Sequence, residues 1–290
     1  MPTLKEFNVK LARLKSTRKL TKTMKLVSVT KLRRAQDAEK RVDLVATRLS
    51  GILGKMGSTV SAGEHPLLTS RKAVKTVMVL VITSDRGLCG GFNNNLNKAV
   101  AVWARGQEAE SKSVLMSFCG RRGYAFFKNR ATVERHYEEI MAKPDFARAH
   151  KVSRALQAAF TGRRVDEVYL AYNAAQGSMS QKPLVERLLP LDPTVLAAVS
   201  GDNQGGNWML EPSTEELLGA LLPRIVNLKV YLALLNSSVG EHSARMKAME
   251  QASSNADSLI RQITLQRNRA RQAAITTELT EIVAGAEALK

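Results

Sequence analysis

The sequence predicts an α/β chain in three parts: N- and C-terminal helices forming a long antiparallel coiled coil, with a Rossmann-like α/β domain between them. Three observations predict it. Apolar residues recur at 3-4 spacing towards both ends. The middle alternates short β-branched runs with helical stretches, the pattern of a parallel sheet with crossover helices. Only 5% of the residues are aromatic, a composition closer to long helices than to an all-β body.

Residues 1–57 form the first element. Ala35, Ala38, Val42, Val45, Leu49, Ile52 and Met56 give it a coiled-coil seam, and Phe7, Leu11, Leu14, Leu20, Met24 and Val27 fall near one face upstream. Gly51, Gly54 and Gly57 loosen the helix and end it. The middle domain, residues 58–210, begins its sheet with TVMVLVITS (76–84) and continues it with SVLMSFCG (113–120) and DEVYLAYN (166–173). Helices are expected over 92–108 and 146–160, and SGDNQGGNW (200–208) leads back to the last helix. Residues 211–290 start at a capping box, Ser213 to Glu216, behind Pro212. Their seam is Leu221, Ile225, Leu228, Leu232, Leu235, Val239, His242, Met246, Met249, Ser253, Ala256, Ile260 and Ile263. Pro223 should kink the chain near Gly219, and Gly240 costs about 1 kcal/mol relative to Ala. Helices over 3–56 and 213–287 would run roughly 80 and 110 Å at ~1.5 Å per residue, so each seam needs a partner and the two pair with each other. Beyond Ile263 the seam fades, leaving a tip that runs on alone.

Charge is distributed unevenly. Residues 1–57 hold 15 Lys/Arg against 4 Asp/Glu, whereas residues 209–290 hold 9 against 9. Such a basic arm attracts nucleic acid, anionic lipid or an acidic protein surface. The run 15–34 lacks the aromatic or Asn/Gln residues that base reading or stacking requires. Cys89 and Cys119 have no redox, zinc or disulfide-framework spacing, which fits a reducing compartment. No apolar run approaching ~18 residues and no signal peptide are visible, so membrane association is expected to be peripheral.

The glycine turn TSDRGLCGGFN (83–93) behind the first strand asks whether it holds a phosphate. The Lys and Ser/Thr of a P-loop are missing after Gly90-Gly91, and the dinucleotide spacing also fails. A tight strand-to-helix turn is favoured, with Cys89 accessible on it and Cys119 buried as a small hydrophobe. His65, His136, His150 and His242 have no ligand spacing. Two readings stay open on these residues: an enzyme using the Rossmann-like domain, and a basic coiled-coil protein gripping DNA phosphates.

Three stretches carry a family resemblance: TRKLTKTMKLVSVTKLRRAQ (17–36), ITSDRGLCGGFN (82–93), and ARMKAMEQASSNADSLI with NRARQAAITTELTEIVAGAEAL (244–260 and 268–289). In this order the chain resembles the gamma subunit of the F-type ATP synthase, the central shaft of a rotary motor. The resemblance implies a rotor without an active site, a cofactor, a nucleic-acid partner or direct membrane insertion. It implies partners in the alpha and beta subunits of the catalytic ring, the epsilon subunit and the membrane c-subunit ring. It further implies that Arg245, Gln272 and Thr276 catch loops of a beta subunit. Met24, with Lys19, Lys22 and Lys25, would form a collar facing an acidic beta loop, and Cys89 would lie near that loop. Trp208 and Leu210 would approach the c ring and epsilon, and the C-terminal tip would turn in an apolar sleeve. No plastid-type regulatory insertion is seen, and a bacterial complex, peripheral on the cytoplasmic face of the plasma (inner) membrane, is expected.

Overall fold

The computed structural model describes residues 3–56, 65–176, 180–192 and 213–287. Its elements run α1 (Leu4–Met56), β1 (Thr76–Ile82), α2 (Phe92–Ala109), β2 (Ser113–Cys119), α3 (Arg121–Phe127), β3 (Thr132–Tyr137), α4 (Phe146–Thr161), β4 (Glu167–Gln176), β5 (Ser180–Leu189) and α5 (Thr214–Glu287). Both long helices open on side-chain caps. Thr3 and Glu6 cap each other reciprocally, and Glu216 N–H donates to Ser213 Oγ at 3.2 Å.

The chain divides into two compact units, Met1–Val29 with Arg245–Lys290, and Thr30–Ala244. In the first unit, buried and half-buried residues of α1 fall at 4, 7, 11, 14, 18, 21, 25 and 28, an unbroken heptad, with Met24 half-buried beside it. Those of α5 include 246, 249, 253, 256, 260, 263, 267 and 270. Arg18 Nη1 donates to Asp257 Oδ1 at 2.7 Å, and Lys25 Nζ to Glu250 Oε1 at 2.6 Å. A step of seven up α1 therefore answers a step of seven down α5, which fixes an antiparallel pair. The two seams match in layers whose numbers add to 274: Leu11 with Ile263, Leu14 with Ile260, Thr21 with Ser253, Ser28 with Met246.

This seam differs from the upstream expectation. Leu20 and Val27 are 61% and 49% exposed, while Thr21 and Ser28 are buried in their place. The unbroken heptad decides, and it carries Arg18 and Lys25 as members whose aliphatic stems lie along the seam with their heads paired at its margin.

In the second unit β1 lies centrally in the order β3-β2-β1-β4-β5, with all pairs parallel except β4 with β5. Alternate residues of β1 serve two cores. Met78, Leu80 and Ile82 pack with Leu156 and Phe160 of α4 and with Leu222, Val226, Val230 and Leu234 of α5. Val77, Val79 and Val81 face Leu96 and Val100 of α2 and Phe127 of α3. Within α1 the expected seam is only partly right: Ala35 is buried and Ala38, Val42 and Leu49 half-buried, but Val45 and Ile52 are exposed. The inward heptad continues through Leu32, Ala35, Glu39, Val42, Ala46 and Leu49, selecting by period rather than by apolar bulk.

All thirteen expected seam residues of α5 are buried or half-buried. Helix geometry continues across Pro223, so no break forms at Gly219. Contrary to the expectation from runs, α5 contains a window apolar enough to span a bilayer by composition. The reason is its surroundings: between Leu218 and Val239 it contributes to a core on more than one face, and a helix enclosed in this way is apolar nearly all round.

Asp166, just before β4, ties the start of the sheet together. It accepts from the N–H groups of Lys75 and Thr76 at 2.8 and 2.9 Å and pairs with Arg71, which also donates to Phe160 O. Burial opposes its charge, but the hydrogen bonds from Thr76, Arg71 and Lys75 outweigh it and hold the carboxyl below the ordinary range. A lowered folded pKa means stability that is present above the ordinary carboxylate value and lost as pH falls through the folded one. Asp166→Asn should therefore destabilise the chain by about 1–3 kcal/mol near neutrality, with the deficit shrinking in acid, as read from urea midpoints across pH. For the coil, Thr21→Cys with Ser253→Cys should give a disulfide within one chain on mild oxidation. Crosslinks confined to dimers on a non-reducing gel would contradict the register.

Candidate functional site

In an open α/β sheet, ligands enter a crevice at the carboxyl ends of the strands, where strand order reverses. Here that point lies between β1 and β4, and α5 fills it. Ser237 Oγ donates to Ile82 O, the last carbonyl of β1, at 3.3 Å. Gly240 sits so close that a Cβ would come within 3.1 Å of the Phe92 ring and 3.5 Å of Asn173 O. Asn173 Nδ2 in turn donates to Phe92 O at 3.1 Å, tying β4 to the first turn of α2.

The glycine turn spends its polar groups internally. Ser84 N–H donates to Asn93 Oδ1 at 3.0 Å, Ser84 Oγ to Arg86 O at 2.6 Å, and Asn93 Nδ2 to Ser84 Oγ at 2.7 Å. The opening N–H groups of α3 are satisfied by the same turn: Arg121 on Asp85 Oδ1, Arg122 on Ser84 O, Gly123 on Thr83 Oγ1. Gly120, at φ +100°, lets this crossing happen, because a Cβ there would fall 2.1 Å from Thr83 O. Cys89 corrects an expectation: it is 2% exposed, near Ser84 and Asn93, while Leu88, at φ +63°, is 63% exposed and forms the outward tip. Cys119 is buried as expected, and burial pushes its thiol well above the usual range. Among the described residues no group of His, Cys, Asp and Glu is arranged to hold a metal ion.

The predicted contacts for the beta subunits, apart from Cys89, are spread along the first unit. Lys19 and Lys22 are exposed on α1 and Met24 is half-buried. Lys25 is instead turned to Glu250. Arg245 is half-buried, whereas Gln272 and Thr276 are exposed one turn apart, with the Thr276 hydroxyl donating to Gln272 O at 2.9 Å. Twenty-seven positions separate Arg245 from Gln272, about 40 Å along a helix at ~1.5 Å per residue. The structure therefore does not gather them into one pocket. Trp208 and Leu210 lie outside the described residues.

Sequence reasoning missed the exposed apolar side chains of α1, although it expected the end of α5 to run on alone. Leu20, Leu26, Val27 and Val29 stand outside the seam of α1 among its lysines. From 275 to 286 every residue of α5 is exposed, and Ile275, Leu279 and Ile282 recur at 4-3 spacing there, with Val283 beside them. A stripe of that spacing on a helix is built to meet another surface. The signal was present in the sequence, but periodicity cannot separate a partner-facing stripe from a core-facing one.

The family model described as ATP synthase matches residues 3–289. The ATP synthase gamma chain of Trichlorobacter lovleyi is 39% identical over 290 residues, and that of Anaeromyxobacter dehalogenans (strain 2CP-C) 42% identical over 293, each alignment covering 100% of both chains. Among solved structures, a chain from the Tetrahymena thermophila mitochondrial ATP synthase central stalk and c ring aligns with a TM-score of 0.59 at 24% identity, covering 81% of this chain and 99% of that one. A chain of the Euglena gracilis mitochondrial ATP synthase gives 0.64 at 20% identity, covering 99% and 94%. These two likenesses concern the fold.

The filled crevice yields a paired test. Gly240→Val should destabilise the full chain by about 1–3 kcal/mol through overpacking against Phe92. Gly219→Ala, where a Cβ meets nothing within 4 Å, should stabilise it by about 0.5–1 kcal/mol. Equal effects in urea unfolding would show that α5 does not depend on this approach.

Proposed function

The chain belongs to the ATP synthase gamma family, and from that premise we infer that it is the central shaft of a rotary F-type ATP synthase, with no active site of its own. The filled crevice carries this reading. A Rossmann-like sheet whose ligand position holds a helix of the same chain serves to grip that helix. Turning such a body turns the helix, and a helix fixed in a sheet can transmit torque. The catalytic sites belong to the beta subunits; ion flow through the c ring drives the shaft, and hydrolysis drives it in reverse. The complex is peripheral to the membrane, and we place it on the cytoplasmic face of a bacterial plasma membrane.

The partner surfaces follow from what the first unit leaves outward. Lys19 and Lys22, with Leu20, Leu26 and Val27 between and beside them, form a mixed basic and apolar collar suited to an acidic beta loop. Lys25 contributes from inside, by holding Glu250. The outward tip of the glycine turn is Leu88, so that turn meets a partner through Leu88, with Cys89 as its internal support. The stripe Ile275, Leu279 and Ile282 fits an apolar sleeve in the alpha and beta ring. Trp208 and Leu210 remain proposed contacts for the c ring and epsilon.

Arg245 and Gln272 can engage the ring at two heights. A guanidinium and an amide make directional hydrogen bonds that must break and re-form as the shaft turns, and bonds that strengthen in one nucleotide state link rotation to affinity. Arg245→Ala with Gln272→Ala should lower steady-state ATP hydrolysis and synthesis by about tenfold, equivalent to ~1.4 kcal/mol, at equal shaft content in purified complexes. Nucleotide binding to isolated beta subunits should not change. Parental rates in normally assembled double variants would remove the catch.

A further inference from the structure

The parallel strands β1, β2, β3 and β4 all begin at one edge of the sheet, and the segments entering that edge are basic. Lys72 and Lys75 precede β1, Lys112 precedes β2, Lys128 and Arg130 precede β3, and Arg163 and Arg164 precede β4. Three cations at this edge are neutralised: Arg71 by Asp166, Lys112 by Glu110 and Arg164 by Glu134. Lys72, Lys75, Lys128, Arg130 and Arg163 are exposed and make no ion pair within 4.0 Å among the described residues.

Two open clefts lie in this edge. One, of about 920 Å³, is lined by Arg71, Lys72 and Arg163 with the hydroxyls of Ser70 and Thr161 and a single acid, Asp166. The other, of about 870 Å³, is lined by Lys112, Lys128 and Arg130 with the hydroxyls of Ser113 and Thr132 and a single acid, Glu108. With Arg71 and Lys112 neutralised and the Thr161 hydroxyl given to Gln157 O, each cleft still offers two cations without an ion pair among the described residues, Lys72 with Arg163 and Lys128 with Arg130, beside the hydroxyls of Ser70 in the first and of Ser113 and Thr132 in the second. That is a donor set for compact oxyanions. The opposite edge is mixed by comparison, with Arg86, Arg121, Arg122, Lys143 and Arg148 set among Asp85, Glu138, Glu139 and Asp145.

We propose that this amino-terminal edge is a docking face for anionic phospholipid headgroups, whose phosphates enter the two clefts. Charge complementarity selects an anionic partner, and the shape selects a mobile one. Two separate clefts can each take an independent headgroup without requiring a rigid partner to match their spacing. Lipids also exchange laterally, so a body held by them can turn while bound, whereas a registered contact with a fixed acidic protein would resist turning. The inference rests on the reading of the chain as the shaft of a membrane-seated rotor. Anionic surfaces attract nearby Lys and Arg side chains at about fivefold in binding per residue, falling off within a Debye length.

The test is sedimentation of the full chain with vesicles of phosphatidylcholine alone or containing phosphatidylglycerol. Binding should require phosphatidylglycerol and weaken steeply with salt. Lys72→Glu, Lys128→Glu and Arg163→Glu together should weaken it by about tenfold or more, and the corresponding Gln triple should fall between this variant and the parent. Because α1 is also basic, Lys10→Glu, Lys15→Glu and Lys31→Glu serve as a charge-matched control with a loss several-fold smaller. Equal losses in the two Glu triples, binding without phosphatidylglycerol, or capture by polyglutamate with none by vesicles would overturn the proposal. Circular dichroism separates misfolding from lost binding. Assembly with alpha and beta subunits is measured separately, so failure of the shaft reading is distinguishable from failure of this one.

Discussion

Everything in the second unit depends on one close approach, that of α5 to the carboxyl end of β1. Gly240 lets the helix backbone reach Phe92 and Asn173, and Ser237 anchors it to Ile82 O. Without that approach the sheet would keep an open crevice and α5 would have only one face covered. With it, Leu222, Val226, Val230 and Leu234 enter the same core as Met78, Leu80 and Ile82. The glycine turn then has to fold over itself rather than around a ligand, and Ser84, Asn93 and the start of α3 take up its polar groups. A fold that in other proteins holds a cofactor here holds a helix.

The first unit is assembled by different physics. Its seam is apolar at Leu11, Leu14, Ile260 and Ile263, but between these and Met246 it contains Arg18, Thr21, Lys25, Ser28 and Ser253. Small hydroxyl residues bury little apolar area, so this stretch gains less from the hydrophobic effect than a leucine seam would. Ion pairs at the solvent-accessible margin, such as Arg18 with Asp257, add little cohesion because water screens them. Their larger contribution is to register, since a slip of one heptad in either direction keeps only one of the two pairs: Arg18 would meet Glu250 and leave Lys25 at Ser243, or Lys25 would meet Asp257 and leave Arg18 at Thr264. Direction and alignment are thus specified by charge, and cohesion by the apolar layers beside it.

The legible and illegible parts of the sequence divide along the same line. The α5 seam can be read because all thirteen of its positions from Leu221 to Ile263 are buried or half-buried and all but His242 and Ser253 are apolar. The α1 seam cannot, because Leu20, Val27, Val45 and Ile52 are apolar and exposed while Thr21, Ser28 and Glu39 turn inward. β1, β2 and β4 were plain as β-branched runs, but β3 and β5 escaped. TVERHY and SQKPLVERLL are edge strands interrupted by charges, Glu134 and Arg135 in the first and Lys182, Glu186 and Arg187 in the second, and Pro183 within β5 is tolerated because an edge strand need not donate on both sides. Cys89 looked accessible because glycine turns generally are. Only the hydrogen bonds of Ser84 and Asn93 explain why this one points its thiol inward and its leucine out.

The surplus of apolar residues on α1 and the bare stripe on α5 share a cause with the failure to read them. A helix that serves one partner has one apolar face, and the sequence then reports its core directly. A helix that pairs within its own chain and also bears on others must be apolar on more than one face, so its periodicity blurs. Leu20, Leu26 and Val27 stand beside Lys19, Lys22 and Lys25 on α1, and Ile275, Leu279 and Ile282 are exposed on α5. Exposed apolar residues in those numbers would make an isolated chain prone to association. The contacts proposed with surrounding subunits would cover them, and a cover that is apolar with few fixed hydrogen bonds is one against which a shaft can turn.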